Sequence, residues 1–121
     1  NRSDYGDACV HGFIDANTGI AYQTLPWNYR GWHCAGTANN THIGVEMCEP
    51  ACIHYTGGAY FICSDREKAM EVVKRTYDAA VELFAFLCTA IVLSLSACQQ
   101  EDIWNKLNDD TDNWIEGMSK K

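Results

Sequence analysis

Basic residues are scarce in this chain of 121 residues, in which nine Lys and Arg stand against 16 Asp and Glu, for a formal net charge of −7. Nucleic-acid binding depends on contacts from Lys and Arg to phosphate, so this balance argues against a nucleic acid as partner. Six acids and three lysines lie between Gln99 and Lys121. We expect that segment to be a solvated surface element rather than a tail that binds polyanions.

The beginning of the chain lacks both an initiator Met and an apolar run, so no signal peptide is visible and the start looks processed, trimmed or incomplete. Histidine is also scarce, and the last of the four is His54. The second half of the chain therefore has no imidazole to offer a metal ion. At this length the chain is one domain, or part of one, that buries a modest core.

Cysteine is abundant for this length, and the odd number of seven leaves at least one residue without an internal partner. Pairing among Cys34, Cys48, Cys52 and Cys63 would fit an exported protein, whereas a reducing cytosol would leave these residues as small buried hydrophobes. The spacing does not decide between the two. The series Cys48, Cys52, His54 and Cys63 matches no closed zinc module, so no metal ligands are assigned.

The first half of the chain is predicted to be rich in strands. Residues 9–14 and 20–25 read as strands joined by a turn at 15–19, where Asp, Asn and Gly are turn formers. Residues 26–36 read as an aromatic-rich loop because Pro and two glycines interrupt them. Residues 49–63 form a second irregular region, which we expect to fold as a small hairpin at the rim of the domain.

The second half is predicted to be helical. The sequence Ser64-Asp65-Arg66-Glu67 has the pattern of a capping box and marks a helix start. Apolar residues then recur at spacings of three and four, which predicts one stripe that packs a long amphipathic helix on the sheet. The stripe consists of Met70, Val73, Tyr77, Ala80, Val81, Phe84, Cys88 and Ile91.

No charge occurs from Leu83 to Gln100. The apolar run within it, at about 1.5 Å per residue, reaches about 24 Å, short of a hydrocarbon layer of roughly 30 Å. Its end at residues 95–98 resembles the lipobox of bacterial lipoprotein precursors, a signal that normally opens a precursor. We therefore predict a buried helix, and keep membrane attachment through residues 83–98, without any glycan role, as the alternative.

Residues 32–48 carry the candidate site. A glycine-containing loop at 32–36 and a polar turn at 39–41 lead into a predicted strand that carries one acid, Glu46. A carboxylate on a rigid strand beside a glycine suits general base work, although a half-exposed strand with its polar side in water is the simpler alternative. Alternation places Ile43, Val45 and Met47 on one face and His42, Gly44, Glu46 and Cys48 on the other.

These residues resemble a known family. The motifs W-H-C-A-G at 32–36 and N-N-T-H-I-G-V-E at 39–46 are similar to the W-H-x-G and N-x-x-S-I-G-I-E signatures of the zinc-dependent N-acetylmuramoyl-L-alanine amidases, which include the more distant peptidoglycan recognition proteins. Residues 10–15 and 19–23 look like the hairpin of that family. The resemblance covers residues 9–49 and extends through the following helix to about residue 90.

The resemblance implies an α/β fold with a mixed central β-sheet and a long packed helix. It places a partial amidase-like domain at residues 1–98 and leaves residues 99–121 as an acidic segment that forms a short helix. It also implies a peptidoglycan hydrolase that cleaves the amide between N-acetylmuramic acid and L-alanine, in a secreted or cell-wall-associated protein of a bacterium or phage. The implied partners are peptidoglycan and muropeptides, and the implied cofactor is zinc.

Site residues follow from the same match. Glu46 corresponds to the family's catalytic glutamate, and we assign Trp32, His33, Asn40 and His42 to substrate binding. The zinc ligands are not recognisable, because residues 1–8 cannot supply the family's first histidine strand and the matches to His11 and His33 are not its ligands. The alternative function is a peptidoglycan-binding module that kept the groove and lost the zinc site.

Overall fold

The computed structural model describes residues 8–95 and 100–119, with the side chains of residues 8–92 and 104–117. Strands fill the first half and two long helices the second. The α/β class, with a mixed sheet and a long packed helix, is confirmed. In chain order the elements are β1 Gly12–Ile14, β2 Ala21–Gln23, α1 Ala38–Thr41, β3 Val45–Met47, β4 Ile53–Gly57, β5 Tyr60–Cys63, α2 Arg66–Leu95 and α3 Gln100–Ser119.

The main sheet has the strand order β2-β1-β3. β1 runs antiparallel to β2, with Phe13 opposite Tyr22, and parallel to β3, with Phe13 opposite Glu46. Because paired residues in neighbouring strands point to the same face, Tyr22, Phe13 and Glu46 form one row across the sheet. Ile14 and Ala21 form a pair on the other face, where both are buried in the core.

The turn between β1 and β2 follows the predicted chemistry. One carboxylate oxygen of Asp15 accepts hydrogen bonds from the backbone amides of Asn17, at 2.9 Å, and Thr18, at 2.7 Å. These bonds, led by the Thr18 amide, hold the pKa of Asp15 below its ordinary value of 3.8. Gly19 has a φ of 73°, which few L-residues adopt without strain. The predicted hairpin is confirmed, with shorter strands.

The core lies between the main sheet and the two long helices, but most of the stripe predicted to pack α2 on the sheet is exposed, and of its members only Ala80 and Ile91 pack against the core. Met70 is 62% and Tyr77 59% exposed. The two stripes share the same periodicity and are displaced by one residue, about 100° around the helix, so spacing alone does not identify the packed one. The side chains that α2 buries are those of Ala69, Val72, Thr76, Ala79, Leu83 and Leu87.

The start of α2 is one residue later than the predicted capping box requires. Asp65, not Ser64, caps the helix, because its carboxylate accepts the Lys68 amide at 3.0 Å. Ser64 instead extends the pairing of the two preceding strands, donating its amide to the carbonyl of Cys52 at 3.0 Å. Ser64 therefore belongs to the hairpin of the two preceding strands and not to the helix cap that the sequence pattern predicts.

β4 and β5 form the small hairpin predicted for residues 49–63. The strands are antiparallel, with Ile53 opposite Cys63, and the pairing is irregular between Tyr55 and Gly57. Tyr55 and Phe61 meet edge to face with ring centroids 6.3 Å apart. The hairpin packs beside the end of β3 and the first turns of α2, where it forms one wall of a cavity.

α3 docks on the loop after β2. Asn108 Oδ1 accepts hydrogen bonds from the side-chain amide of Gln23, at 2.8 Å, and from the backbone amide of Trp27, at 3.1 Å. The indole of Trp27 donates to the Thr111 hydroxyl at 3.0 Å, and Leu107 is 1% exposed. This helix is longer than the short terminal helix we expected.

The predicted boundary between residues 98 and 99, and residues 96–98 of the lipobox-like motif, lie outside the described residues. Within residues 8–95 and 100–119, neither long helix has a stretch both apolar and long enough to cross a bilayer.

Candidate functional site

Glu46 lies in the middle of β3, on the face of the main sheet that points away from the core. Its side chain is exposed, whereas Ile43 and Val45 pack against the core as alternation predicts. Among the described residues the Glu46 carboxylate has no hydrogen-bond or ion-pair partner. Both carboxylate oxygens are thus available to a ligand or a water molecule.

An aromatic pair extends from Glu46 across this face. Phe13 stacks on Tyr22 with ring centroids 5.1 Å apart and an interplanar angle of 20°. Tyr22 is 43% exposed. We call Phe13, Tyr22 and Glu46 the open face. Alternation along each strand determines which residues share a face, whereas the register that brings Phe13, Tyr22 and Glu46 into one row depends on how the strands pair.

His33 lies at one end of the open face. A Cβ added to Gly44, which precedes Glu46 by two residues, would lie 2.6 Å from Cδ2 and 2.7 Å from Nδ1 of His33. The imidazole therefore occupies the space of a missing side chain on the Glu46 face, about 7 Å along the strand from Glu46. His33 Nε2 donates to the carbonyl of His42 at 3.1 Å, which leaves Nδ1 as an acceptor with no partner among the described residues.

Asn39 holds the loop that carries His33. Its side chain is 2% exposed, and its Oδ1 accepts the backbone amides of His33, at 2.8 Å, and Cys34, at 3.1 Å. Ala35 in the same loop has a φ of 60°, a left-handed conformation that costs an L-residue about 1–2 kcal/mol. Asn39 thus fixes a strained loop. Sequence reasoning missed it, because nothing in the Asn-Asn pair distinguishes the buried amide from the exposed one.

His11 is a structural residue in this arrangement. It is 1% exposed, and its Nδ1 accepts the Gly44 amide at 3.1 Å. Nε2 therefore carries the proton, which it donates to the carbonyl of Tyr29 at 2.8 Å. Both ring nitrogens are used, so His11 has no lone pair left for a metal ion or a substrate.

Trp32, Asn40 and His42, all assigned to substrate binding, are exposed and are not among the paired residues of the open face. The Arg30 guanidinium lies 4.7 Å from the Trp32 ring centroid. Asn40 lies in α1, a short helix where the sequence predicts a turn. His42 ends that helix and precedes β3, so the strand starts later than predicted. Local side-chain chemistry gives no signal for a helix this short.

Cys48 comes directly after the end of β3, two residues beyond Glu46. Burial, then the nearby Glu46 and Asp15 carboxylates, raise the pKa of the Cys48 thiol. A thiol with a raised pKa is a weaker nucleophile at neutral pH, so we assign it no part in the chemistry.

The zinc that the resemblance implies has no recognisable site in the part of the chain that the structure describes. Within that part, no group of three or more His, Cys, Asp and Glu side chains is arranged to hold a metal ion. His11 and His33 contact each other at 5.9 Å between ring centroids, but both ring nitrogens of His11 are hydrogen-bonded, and His42 Nδ1 lies 2.8 Å from the Thr41 hydroxyl. The described residues therefore do not fit a zinc centre.

Comparison with known proteins agrees with the motifs at residues 32–46. No match was found among curated proteins or among solved structures. The profile of one family, described as N-acetylmuramoyl-L-alanine amidase, matches residues 1–112. That span includes the whole main sheet, α2 and more than half of α3. The resemblance of the sequence motifs is confirmed, and the chain belongs to the N-acetylmuramoyl-L-alanine amidase family.

Proposed function

We propose that this protein is a peptidoglycan hydrolase that cleaves the amide between N-acetylmuramic acid and L-alanine at the open face. The observation that supports this proposal is the placement of Glu46. It combines a fixed position on a strand, a carboxylate without a partner among the described residues, and neighbouring aromatic rings on an uncovered face. Family membership supplies the substrate class, which is peptidoglycan.

The aromatic pair suits the glycan side of the bond. Sugar rings have apolar faces that pack against aromatic side chains, and Tyr22 presents an exposed ring stacked on Phe13. Beside this surface, His33 Nδ1 can accept the N–H of the scissile amide. His33 thereby orients the carbonyl carbon toward a water molecule held by Glu46.

Glu46 acts as the general base in this scheme. Its carboxylate takes a proton from water as the oxygen attacks the amide carbon, and the proton then passes to the departing nitrogen of L-alanine. The C–N bond breaks, leaving a carboxylate on the lactyl group and a free amine on the stem peptide. These steps use Glu46 and water, with His33 orienting the amide; no step is assigned to zinc, because the described residues do not fit a zinc centre.

The test is release of free stem peptide from purified muropeptides. Mass spectrometry identifies the released peptide, which carries a new amino group. Turnover by the wild-type chain that falls at least 100-fold in Glu46→Gln supports the proposal. Glu82→Gln is the matched control, because Glu82 is an exposed glutamate on α2 without a partner among the described residues. Equal turnover in wild type and Glu46→Gln would refute the role of Glu46.

A second function, a peptidoglycan-binding module without turnover, is favoured by the same aromatic pair. Stacking on Phe13 and Tyr22 requires no catalytic group, so affinity for muropeptides can persist without hydrolysis. Calorimetry of wild type and Tyr22→Ala, with exposed Tyr77→Ala on α2 as control, measures this affinity. Binding that depends on Tyr22, without peptide release in any variant, would favour the module over the hydrolase.

The proposed setting follows from the substrate class. Peptidoglycan lies outside the bacterial cytoplasmic membrane, so we place the protein in a secreted, cell-wall-associated or phage context.

A further inference from the structure

The base of the β4–β5 hairpin brings together two cysteines that the proposed hydrolysis does not use. Cys52 immediately precedes β4 and Cys63 ends β5. Ile53 pairs with Cys63, and the Ser64 amide donates to the Cys52 carbonyl at 3.0 Å. Cys52 lies in the turn before β4, opposite Ser64 and one residue from the position that faces Cys63, so strand alternation does not orient its side chain. The Cα atoms of Cys52 and Cys63 are about 6 Å apart by strand geometry. This separation lies within the range that a disulfide spans.

The two side chains also interact. Both thiols are free and half-buried, and the Cys52 side chain lies within hydrogen-bonding and electrostatic range of Cys63. Burial, followed by this contact, raises the pKa of Cys52. The Cys52 sulfur also lies 3.4 Å from the carbonyl of Asp65, the residue that caps α2. The pair thus sits where the hairpin meets the helix.

We propose that Cys52 and Cys63 form a redox pair that closes into a disulfide across the base of the hairpin. The oxidant is a low-molecular-weight disulfide such as oxidised glutathione. One cysteine thiolate attacks a sulfur of the oxidant, forming a mixed disulfide and releasing one small thiol. The second cysteine thiolate attacks the protein sulfur of that mixed disulfide and releases the other small thiol.

The exchange is balanced. Two protein S–H bonds and the S–S bond of the oxidant break, while one protein S–S bond and two small-molecule S–H bonds form. Two electrons pass from the protein to the oxidant, and both protons end on the released thiols.

Closure of the pair restrains one wall of a cavity of about 310 Å³. The cavity lies between the hairpin, the end of β3 and α2, and its lining includes Met47, Tyr55, Phe61 and Val73. The hairpin is joined to the rest of the fold at the two cysteines and at the helix cap. A bond between Cys52 and Cys63 therefore limits opening of the hairpin. Oxidation is therefore expected to make the hairpin more rigid and leave the open face unchanged.

Peptide mapping without reduction tests the proposal. After incubation with oxidised glutathione, the wild-type chain is expected to give a cross-linked peptide containing Cys52 and Cys63, two hydrogen atoms lighter than the sum of its parts. Cys52→Ser and Cys63→Ser should each lose this peptide, whereas Cys88→Ser, which changes an exposed cysteine on α2, should keep it. Reaction of Cys52 and Cys63 with a maleimide as fast as Cys88, under the same oxidising conditions, would overturn the proposal.

Amide exchange provides a second measurement that does not depend on the variants. Oxidation of the wild-type chain is expected to slow exchange in residues 53–63 about tenfold or more, with no change in the β1–β2 hairpin. Identical exchange in the reduced and oxidised chains, or a cross-link from Cys52 to Cys48 instead, would also contradict the pairing.

Discussion

Replacement of Asn39 by Ala tests how the loop that carries His33 is held. The buried amide oxygen accepts the backbone N–H groups of His33 and Cys34, at 2.8 and 3.1 Å. Leaving a buried donor without a partner costs about 1–3 kcal/mol, and the cost is smaller at Cys34 because that residue is exposed. We therefore expect Asn39→Ala to lower the free energy of unfolding by about 2–3 kcal/mol.

Asn40→Ala is the matched control. It changes the same residue type one position later, in the same short helix, where the side chain is exposed. Surface substitutions of this kind usually change the free energy of unfolding by about 0.5 kcal/mol or less. Both asparagines lie in the stretch 39–46 that resembles the family signature, so the comparison separates the structural residue from the one assigned to the substrate.

Urea unfolding followed by tryptophan fluorescence measures both variants, because Trp27 is only 4% exposed and reports loss of the core. With a denaturant slope of about 1–2 kcal/mol per molar urea, Asn39→Ala should lower the midpoint by about 1–3 M. A difference between Asn39→Ala and Asn40→Ala below about 0.5 kcal/mol, or a larger loss in Asn40→Ala, would show that Asn39 does not hold the loop.

Three further predictions follow from contacts elsewhere in the fold. Gly44→Ala should lower the free energy of unfolding by about 1–3 kcal/mol and displace the His33 ring, because the new Cβ would overlap that ring. The displacement is measured as shifted imidazole resonances in NMR spectra, and unchanged resonances would contradict the packing. Asn108→Ala should speed amide exchange in α3 but not in β3, because it removes the acceptor that links the helix to the loop after β2. An equal change of exchange rate in α3 and β3 would contradict this docking. The pKa of Asp15 is lowered on folding, so its stabilisation is present above pH 3.8 and is lost as the pH falls through the folded-state value. Asp15→Asn should therefore flatten the acid end of the profile of urea midpoint against pH, and an unchanged slope there would show that Asp15 does not titrate as described.

Local chemistry predicted the elements that depend on neighbours in sequence. The turn at residues 15–19 follows from an Asp that accepts nearby amides and a Gly that tolerates a positive φ. The position of Glu46 on the face away from the core follows from strand alternation. Both depend on contacts within a few residues.

The errors arise where two parts of the chain compete for the same residues. α2 carries two apolar stripes, and the choice between them depends on which one fits the sheet, a contact that the helix sequence does not contain. Ser64 does not cap α2, because its backbone amide donates to the Cys52 carbonyl at the end of the β4–β5 hairpin. Similarly, Asn39 is buried because the loop at 32–36 folds over it, which the sequence of the pair does not reveal.

Glu46 lies at the centre of β3, which forms an edge of the described three-stranded sheet. An edge strand leaves backbone N–H and C=O groups free to pair with another chain, and a charged side chain on that strand opposes such pairing. The carboxylate that we propose as a base therefore also disfavours pairing of this edge with another chain. A relative that had lost hydrolysis would still gain solubility from an acid at this position, so a glutamate there does not by itself distinguish an active enzyme from an inactive one.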